Sequence, residues 1–369
     1  MSVYWNSRTQ NLSPYIPGEQ PKDRQFIKLN TNENPYPPSP KVMEAIQKAV
    51  NDKLRLYPDP ECTEFRQAVA ARYGVKPGQV FAGNGSDEVL GFAFGAFFQS
   101  NSETILFPDI TYSFYPVYAG LWGVPYRTIP LADDFSINTA DYTNSTVGVG
   151  STVGGVVLPN PNAPTGMALP LDDILSLARH LEKHKKVFIL DEAYIAFSDA
   201  SGKGSAVPHI ANHPNLLTVY TLSKSSSLAG LRVGFAIGSE ELIEGLCRIR
   251  DSFNSYTLDR LALAGATAAI NDYAYYDAVN RRIINTRERV AQALFGLGFT
   301  VLPSAANFLF IKKPGISGEA LFSALREKGI LVRHFNKERI ADFLRVTIGT
   351  DEEMDVFLAM CRDIIGSRE

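Results

Sequence analysis

The chain has 369 residues, of which 45% are hydrophobic and 20% are charged, and its net charge is −3. This length allows a large buried core in two lobes, and the slightly acidic balance offers no basic surface for nucleic acid. The longest apolar run, Val89–Phe98, is too short to span a membrane. No secretory signal is visible and the three cysteines lie far apart, so we expect a cytoplasmic protein with reduced thiols.

Residues 1–40 are rich in proline and predict an extended arm. The next motif, Gly83–Glu88, opens an apolar helix. Glycines let the backbone approach a ligand closely, and free N–H groups at Ser86 and Asp87 suit a phosphate group. An ordinary Ser or Asp N-cap explains the same residues.

The middle of the chain alternates short apolar strands with amphipathic helices, which predicts βαβ units and a mostly parallel sheet. The predicted helix Leu171–His184 has one apolar face and a basic C-terminal end. The Gly/Ser/Thr/Val-rich segment Asp141–Gly155 predicts a surface connection. The predicted strands are Thr104–Phe107, Gly155–Leu158, Val187–Leu190, Leu216–Tyr220 and Val233–Ile237.

Polar residues follow several of these strands, at the edge where open α/β sheets bind ligands. Tyr112 follows the first strand and can stack on a planar ring, although most such tyrosines belong to a core. The turn 160–166 follows the second strand. Asp191 follows the third, where its carboxylate can pair with a cationic nitrogen of a ligand, and Tyr194 lies three residues further on. An acid at a strand end is also a common turn residue.

The most informative segment is Ser223–Arg232, directly after the strand Leu216–Tyr220. Lys224 places an amine at the mouth of that strand, where a lowered pKa would allow it to form a Schiff base with a carbonyl compound. Arg232 offers a planar fork that can hold a phosphate through two parallel hydrogen bonds. Pyridoxal phosphate needs both groups, so we expect an enzyme that uses this cofactor.

After residue 275 the chain has a further set of helices and strands, which together with part of the arm predicts a smaller lobe. The elements expected there are Leu321–Lys328, Ile330–Val332 and Leu344–Ile348. The predicted domains are the arm (1–40), a large cofactor-binding domain (41–270) and a small C-terminal domain (271–369).

In their order along the chain, these segments resemble the fold-type I aminotransferases, which have the aspartate-aminotransferase-like fold. Within that family the histidinol-phosphate aminotransferases are the most similar. The resemblance implies an α/β fold, in which a large domain with a mostly parallel seven-stranded sheet carries a smaller α+β domain. The supporting segments are Leu29–Pro37, Tyr57–Pro60, Gly83–Glu88, Asp191–Tyr194, Ser223–Arg232 and Leu344–Thr350.

The resemblance also implies a pyridoxal phosphate site. Lys224 would form the Schiff base, Asp191 would pair with the pyridine nitrogen, and Tyr112 would stack on the ring. The residues expected to bind the cofactor phosphate are Ser86, Asp87, Ser223, Arg232 and, from the neighbouring subunit of a homodimer, Tyr57.

The ring hydroxyl is the one contact at which the chain departs from the family. Tyr194 and an asparagine would hold it, and the family often has that asparagine directly before Pro-Thr-Gly. Ala163 stands there in this chain. We therefore assign Asn162 as the substitute, with Asn160 as the alternative.

Substrate contacts are implied on the arm and near the C-terminus. Arg345 would bind an α-carboxylate, and Arg333, Tyr15 and Asn32 would line the pocket. The expected partners are an amino donor, a 2-oxo acid acceptor and a second copy of the chain, and no metal, nucleic acid or membrane is expected. The preferred reaction is transamination between histidinol phosphate and 2-oxoglutarate. An aromatic or other amino donor, or decarboxylation of the threonine-phosphate type, stays open because the same cofactor residues serve all of them.

Overall fold

The computed structural model describes residues 3–21, 25–98, 103–146, 153–198 and 204–366. No helix in this part of the chain is long and apolar enough to cross a membrane. The helices are α1 (Ser7–Asn11), α2 (Pro40–Ala49), α3 (Thr63–Tyr73), α4 (Gly85–Phe97), α5 (Tyr115–Trp122), α6 (Thr139–Thr146), α7 (Leu171–Lys183), α8 (Leu222–Ser225), α9 (Glu240–Phe253), α10 (Arg260–Asn271), α11 (Tyr273–Gly296), α12 (Gly318–Glu327) and α13 (Asp351–Gly366). The strands are β1 (Ile27–Lys28), β2 (Val80–Asn84), β3 (Thr104–Pro108), β4 (Tyr126–Ile129), β5 (Val153–Pro159), β6 (Val187–Asp191), β7 (Leu216–Thr221), β8 (Val233–Ile237), β9 (Thr300–Val301), β10 (Phe308–Lys312), β11 (Ile330–Leu331), β12 (Arg333–His334) and β13 (Leu344–Thr347).

Seven strands form the central sheet in the order β2-β8-β7-β6-β5-β3-β4. All run parallel except β8, which is antiparallel to both of its neighbours. The strands β5, β7 and β8 are buried at every position, because helices pack on both faces of the sheet. All five strands predicted from apolar runs are present, with ends that differ by no more than two residues, whereas β2 and β4 were not predicted.

The strands β5, β6 and β7 end side by side at one edge of this sheet, where Pro159 pairs with Asp191 and Asp191 with Val219. The chain leaves β7 directly into α8, whose N-cap Thr221 accepts a hydrogen bond from a backbone N–H of the first turn at 3.1 Å. This short helix carries Lys224. The lysine and the aspartate therefore emerge from the same edge, which is where open α/β sheets bind ligands.

A second, antiparallel sheet with the order β12-β13-β10-β9 belongs to a smaller unit. Helices α11, α12 and α13 pack with it around a core of its own, which includes Leu325, Val346 and Phe357. The arm joins this unit, because Leu29 lies in the same core and β1 pairs in parallel with β11. The domain boundaries at residues 40 and 270 stay a prediction.

The segment Asp141–Gly155 differs from the surface connection that its composition predicted. Helix α6 continues through Asp141 to Thr146, and strand β5 already begins at Val153. Tyr142 is 1% exposed, so its ring anchors the helix in the core. Residues 147–152 lie outside the described part of the chain. Burial of an aromatic ring and of β-branched side chains outweighs the local preference of Gly, Ser and Thr for loops.

Candidate active site

A cavity of about 280 Å³ opens at the strand edge that carries Asp191 and Lys224. The arm and the smaller unit close its other sides. The structure brings twelve of the fourteen predicted site residues to its wall, namely Tyr15, Asn32, Ser86, Asp87, Tyr112, Asp191, Tyr194, Ser223, Lys224, Arg232, Arg333 and Arg345. The two that do not line it are Tyr57 and Asn162.

The amine of Lys224 is held inside this cavity by the arm. Its Nζ donates a hydrogen bond to the Thr31 carbonyl at 2.9 Å. Burial of the ammonium, with the nearby charge of Arg345, lowers the pKa of Lys224 to about 8. A substantial fraction of the side chain is therefore neutral near neutral pH, as a nucleophilic amine requires.

Asp191 ends β6 with a buried carboxyl group. The Tyr115 hydroxyl and the Ala193 backbone N–H each donate a hydrogen bond to it, at 3.0 and 3.1 Å. Burial nevertheless raises the pKa of Asp191 to about 6. A cation at the cavity face of this carboxyl group would keep it ionised, so the site suits a protonated ring nitrogen.

An anion-binding corner lies where Arg232 meets the first turn of α4. The guanidinium of Arg232 donates to the Ser223 hydroxyl at 3.3 Å and to the Asp87 carboxylate at 3.0 Å. Asp87 also accepts hydrogen bonds from the hydroxyls of Tyr112 and Tyr118, at 2.7 and 3.2 Å. A carboxylate repels a phosphate, so the Asp87 side chain orients the arginine and the tyrosines. Only its backbone N–H is suited to the predicted phosphate contact.

Two glycines let the elements around this corner approach one another closely enough to bind a small anion. Gly85 has a φ of 75°, and a Cβ there would lie 2.5 Å from Nη2 of Arg232. A Cβ on Gly234 of β8 would lie 2.3 Å from the backbone nitrogen of Ser86. The absence of both side chains lets the helix N-terminus, the strand and the guanidinium converge, as a phosphate site requires.

Tyr194 contacts the arm rather than either predicted asparagine. Its hydroxyl oxygen accepts a hydrogen bond from Nδ2 of Asn32 at 2.9 Å. Its ring packs edge-on against Phe308 with a centroid distance of 5.2 Å. Burial raises the pKa of Tyr194, so the hydroxyl keeps its proton at neutral pH.

The assignment of Asn162 to the ring hydroxyl is not supported by the geometry. Its side chain donates to the Ile110 carbonyl at 3.0 Å and accepts from the Thr111 hydroxyl at 3.1 Å. The alternative, Asn160, accepts a hydrogen bond from the Leu169 backbone N–H at 2.8 Å. Both amides therefore hold loops in place, and neither residue lines the cavity.

Tyr57 lies outside the cavity of its own chain. It is 79% exposed and stacks on Tyr256 with a centroid distance of 4.7 Å. Its side chain is therefore open to solvent in the single chain, and its predicted contact with a neighbouring active site stays a prediction.

Two arginines form the wall contributed by the smaller unit. Arg333 of β12 pairs directly with Arg345 of β13. Arg345 donates to the Asn30 carbonyl at 2.9 Å, and its buried Nε has no hydrogen-bond partner among the described residues. Tyr15 stacks on Phe114 nearby, with a centroid distance of 4.2 Å. A ligand with an anionic group would satisfy the free donor.

Several contacts at this site were not predicted. Tyr115 and Tyr118 of α5 donate to the two carboxylates. Tyr112, Tyr115 and Tyr118 recur every three residues, a spacing that favours one side of a helix, although α5 itself begins only at Tyr115. The contacts to the backbone carbonyls of Asn30 and Thr31 could not be predicted beyond the arm motif. Every residue has a backbone carbonyl, so the residue type does not show which carbonyl accepts a hydrogen bond.

The family model for aminotransferase class I and II matches residues 24–360. The chain belongs to this family. A histidinol-phosphate aminotransferase of Clostridium acetobutylicum is 53% identical over 366 residues, which are 99% of this chain and 100% of the relative. Histidinol-phosphate aminotransferase 1 of Bordetella parapertussis is 52% identical over 367 residues, which are 100% of both chains.

A crystal structure of histidinol-phosphate aminotransferase from Sinorhizobium meliloti, in complex with pyridoxal-5'-phosphate, superposes with a TM-score of 0.89. Its sequence is 25% identical, and the match covers 100% of this chain and 99% of that one. The predicted fold-type I architecture is therefore confirmed.

The residues present fit pyridoxal phosphate, the cofactor that this fold implies. An amine of lowered pKa suits its carbonyl group, a buried carboxyl group suits its ring nitrogen, and a glycine-lined corner with Arg232 suits its phosphate. The three groups belong to different segments, and the fold brings them to one cavity.

The lowered pKa of Lys224 can be tested without any cofactor. About half of this amine is neutral at pH 8, against less than about 1% for a lysine with the usual pKa near 10.4. Reductive methylation with formaldehyde, followed by peptide mass spectrometry from pH 6 to 11, should give a labelling midpoint near 8 for Lys224. The exposed Lys48 serves as the internal control, and identical profiles for the two lysines would contradict the pKa shift.

Proposed function

We propose that this protein is a pyridoxal-phosphate-dependent aminotransferase that transfers the amino group of histidinol phosphate to 2-oxoglutarate, a step of histidine biosynthesis. The observation that carries the proposal is the convergence of Lys224, Asp191 and Arg232 on one cavity that also holds two arginines for substrate anions. The names of the full-length relatives support the choice of substrate. We propose the cytosol as its location, because its three cysteines are unpaired.

Each residue has a defined part in this chemistry. When bound, pyridoxal phosphate supplies a carbonyl group that links to amines and a ring that withdraws electrons. Lys224, freed from that carbonyl group by the incoming amine, would act as the base that moves a proton between the α-carbon of the substrate and carbon C4′ of the cofactor. Asp191 keeps a positive charge on the ring nitrogen. Arg232 and the N-terminus of α4 hold the phosphate.

The two substrates present different anions to the same wall. Glutamate has an α-carboxylate, whereas histidinol phosphate has no carboxylate and carries its phosphate at the end of a short chain. We assign the carboxylate to Arg345, whose Nε is buried and free. We assign the phosphate to Arg345 and Arg333 together, since two forks opposite each other can bind more oxygens than one. The imidazole would extend toward Tyr15.

The Lys224→Ala variant tests the reaction. It should lose the visible absorbance of the lysine-linked cofactor and all measurable turnover, since no other amine takes its place among the lining residues. Lys48→Ala, which removes an exposed lysine side chain, is the matched control and should behave as wild type. Transamination by Lys224→Ala at the wild-type rate would contradict the assignment.

A single-turnover panel of amino donors then separates the alternatives. Histidinol phosphate should convert the bound cofactor to its amino form faster than phenylalanine or tyrosine does. A much faster reaction with either aromatic donor would overturn the substrate choice while leaving the aminotransferase in place. Release of CO₂ without conversion of the cofactor would indicate the decarboxylase instead.

Arg333→Ala tests the division of labour between the arginines. It removes one charged hydrogen-bonding fork from the phosphate but leaves Arg345 for the carboxylate. We expect the KM for histidinol phosphate to rise roughly tenfold or more, and the KM for glutamate to change less. Arg333→Lys keeps the charge without the fork and should be intermediate. Equal losses on both substrates would refute the role of Arg333.

We also propose that the protein is a homodimer in which Tyr57 reaches the neighbouring active site. Leu54, Leu56 and Tyr57 are exposed, and Tyr57 stacks on the exposed Tyr256. Neighbouring exposed apolar side chains of this size are typical of an interface, and two-fold pairing is the commonest arrangement of soluble oligomers.

Mixing two inactive variants tests this contact across the interface. When Lys224→Ala and Tyr57→Ala chains are unfolded, mixed and refolded, a hybrid dimer has one site with the native Lys224 of one chain and the native Tyr57 of the other. Cofactor affinity and activity should return in about half of the sites of each hybrid. Tyr57 acting within its own chain would give no recovery, which the assay would show directly.

A further inference from the structure

Asn32 lies on the arm segment that borders the active-site cavity, and hydrogen bonds from the smaller unit hold its backbone in place. It is 1% exposed and adopts a left-handed backbone conformation with a φ of 58°. Its carbonyl accepts a hydrogen bond from Nδ2 of Asn307 at 3.0 Å, and its backbone N–H donates to the Thr347 hydroxyl at 3.0 Å. The arm is thereby attached to the smaller unit at this residue.

The Thr347 hydroxyl sets which end of the Asn32 amide faces the cavity. This hydroxyl has a single hydrogen, and it already accepts from the Asn32 backbone. It donates that hydrogen to Oδ1 of Asn32 at 3.0 Å. The NH₂ group of the amide must then face the other way, where the oxygen of Tyr194 lies 2.9 Å from it.

This contact determines where the Tyr194 hydroxyl can point its own hydrogen. The oxygen accepts from Asn32, so its hydrogen cannot be directed to the same amide nitrogen. Asp191, Arg345 and Tyr15 are the charged or titratable groups that influence Tyr194, and burial keeps its hydroxyl protonated. The hydroxyl is a lining group of the cavity, and its hydrogen is free to donate into it.

No asparagine of the loop 160–166 can share this task. The side chains of Asn160 and Asn162 are bound to other loops. Ala163, which does line the cavity, offers only a methyl group. A ring oxygen bound beside Tyr194 would therefore depend on that one hydroxyl.

We propose that Asn32 is a positioning residue that turns the Tyr194 hydroxyl toward the ring oxygen of pyridoxal phosphate, and so compensates for the asparagine absent at Ala163. The proposal rests on the proposed use of this cofactor. Asn32 acts through Tyr194 and needs no contact with the cofactor or the substrate.

The pH dependence of cofactor absorbance reports this effect independently of turnover. The visible band of the lysine-linked cofactor changes as its linking nitrogen loses a proton. A ring oxygen without its hydrogen-bond donor is more basic and holds that nearby proton to higher pH. Loss of one such hydrogen bond should raise the midpoint by about one pH unit.

Asn32→Gly is the main variant, because glycine adopts a φ of 58° without strain. We expect its midpoint to rise by about one unit in the wild-type background and to stay unchanged in a Tyr194→Phe background. This non-additivity separates action through the hydroxyl from a general loosening of the site. Equal shifts in both backgrounds, or no shift in either, would overturn the proposal.

Asn32→Asp provides a second route if the glycine variant folds poorly. One carboxylate oxygen still accepts from Thr347, while the other accepts the Tyr194 hydrogen and turns it away from the cavity. Its midpoint should rise by at least as much as that of Asn32→Gly, and by less in the Tyr194→Phe background. A midpoint equal to that of the wild type would contradict the role of Asn32.

Asn307→Ala is the matched structural control, since it removes a contact to the Asn32 backbone but leaves the amide facing Tyr194. Its midpoint should stay within about 0.2 units of the wild type, a difference too small for a lost hydrogen bond. A rise as large as that of Asn32→Gly would assign the effect to the arm as a whole and overturn the proposal. Failure of the wild type to show a visible band would instead refute the proposed cofactor.

Discussion

Two consecutive backbone carbonyls of the arm accept hydrogen bonds from the two most important cations of the site. Asn30 receives Arg345 from the smaller unit, and Thr31 receives Lys224 from the central sheet. Neither contact depends on a side chain of the arm. The arm therefore fixes the amine and the guanidinium relative to each other, and the geometry of the cavity depends on where this short stretch of backbone lies.

Burial shifts the pKa in opposite directions for two ionisable groups that line the cavity. It lowers the pKa of Lys224 to about 8 and raises the pKa of Asp191 to about 6. Each shift disfavours the charged form, because water is largely excluded from both groups. Lys224 is thereby prepared to act as a neutral amine, whereas a cationic ligand beside Asp191 would stabilise the charged form that burial disfavours. The same physical cause thus gives one group its reactivity and the other its selectivity.

The parts of the fold that follow a repeating pattern of apolar residues could be predicted from the sequence. Apolar runs indicate the buried strands, and the rule that ligands bind at the carboxyl ends of parallel strands predicts that Asp191 and Lys224 share one site. Composition failed at Asp141–Gly155, where the buried ring of Tyr142 decides the local structure.

Side-chain direction in irregular segments could not be predicted in the same way. Asn162 was assigned by its closeness to Pro-Thr-Gly, but its partners, Ile110 and Thr111, lie about fifty residues earlier in the chain. The ion pair between Asp87 and Arg232 likewise joins segments that only the folded sheet brings together. Such contacts leave no periodic signal.

The reversed direction of β8 determines how Lys224 and Arg232 are spaced in the site. Because β8 runs antiparallel to β7, it begins at the ligand edge, and Arg232 stands immediately before it. Lys224 and Arg232 are therefore joined by one short connection instead of a crossover helix. The distance between Lys224, which would link to the carbonyl group, and Arg232, which would bind the phosphate, is therefore set by the local backbone. Shifts of the surrounding helices can change the shape of the pocket while this spacing stays constant.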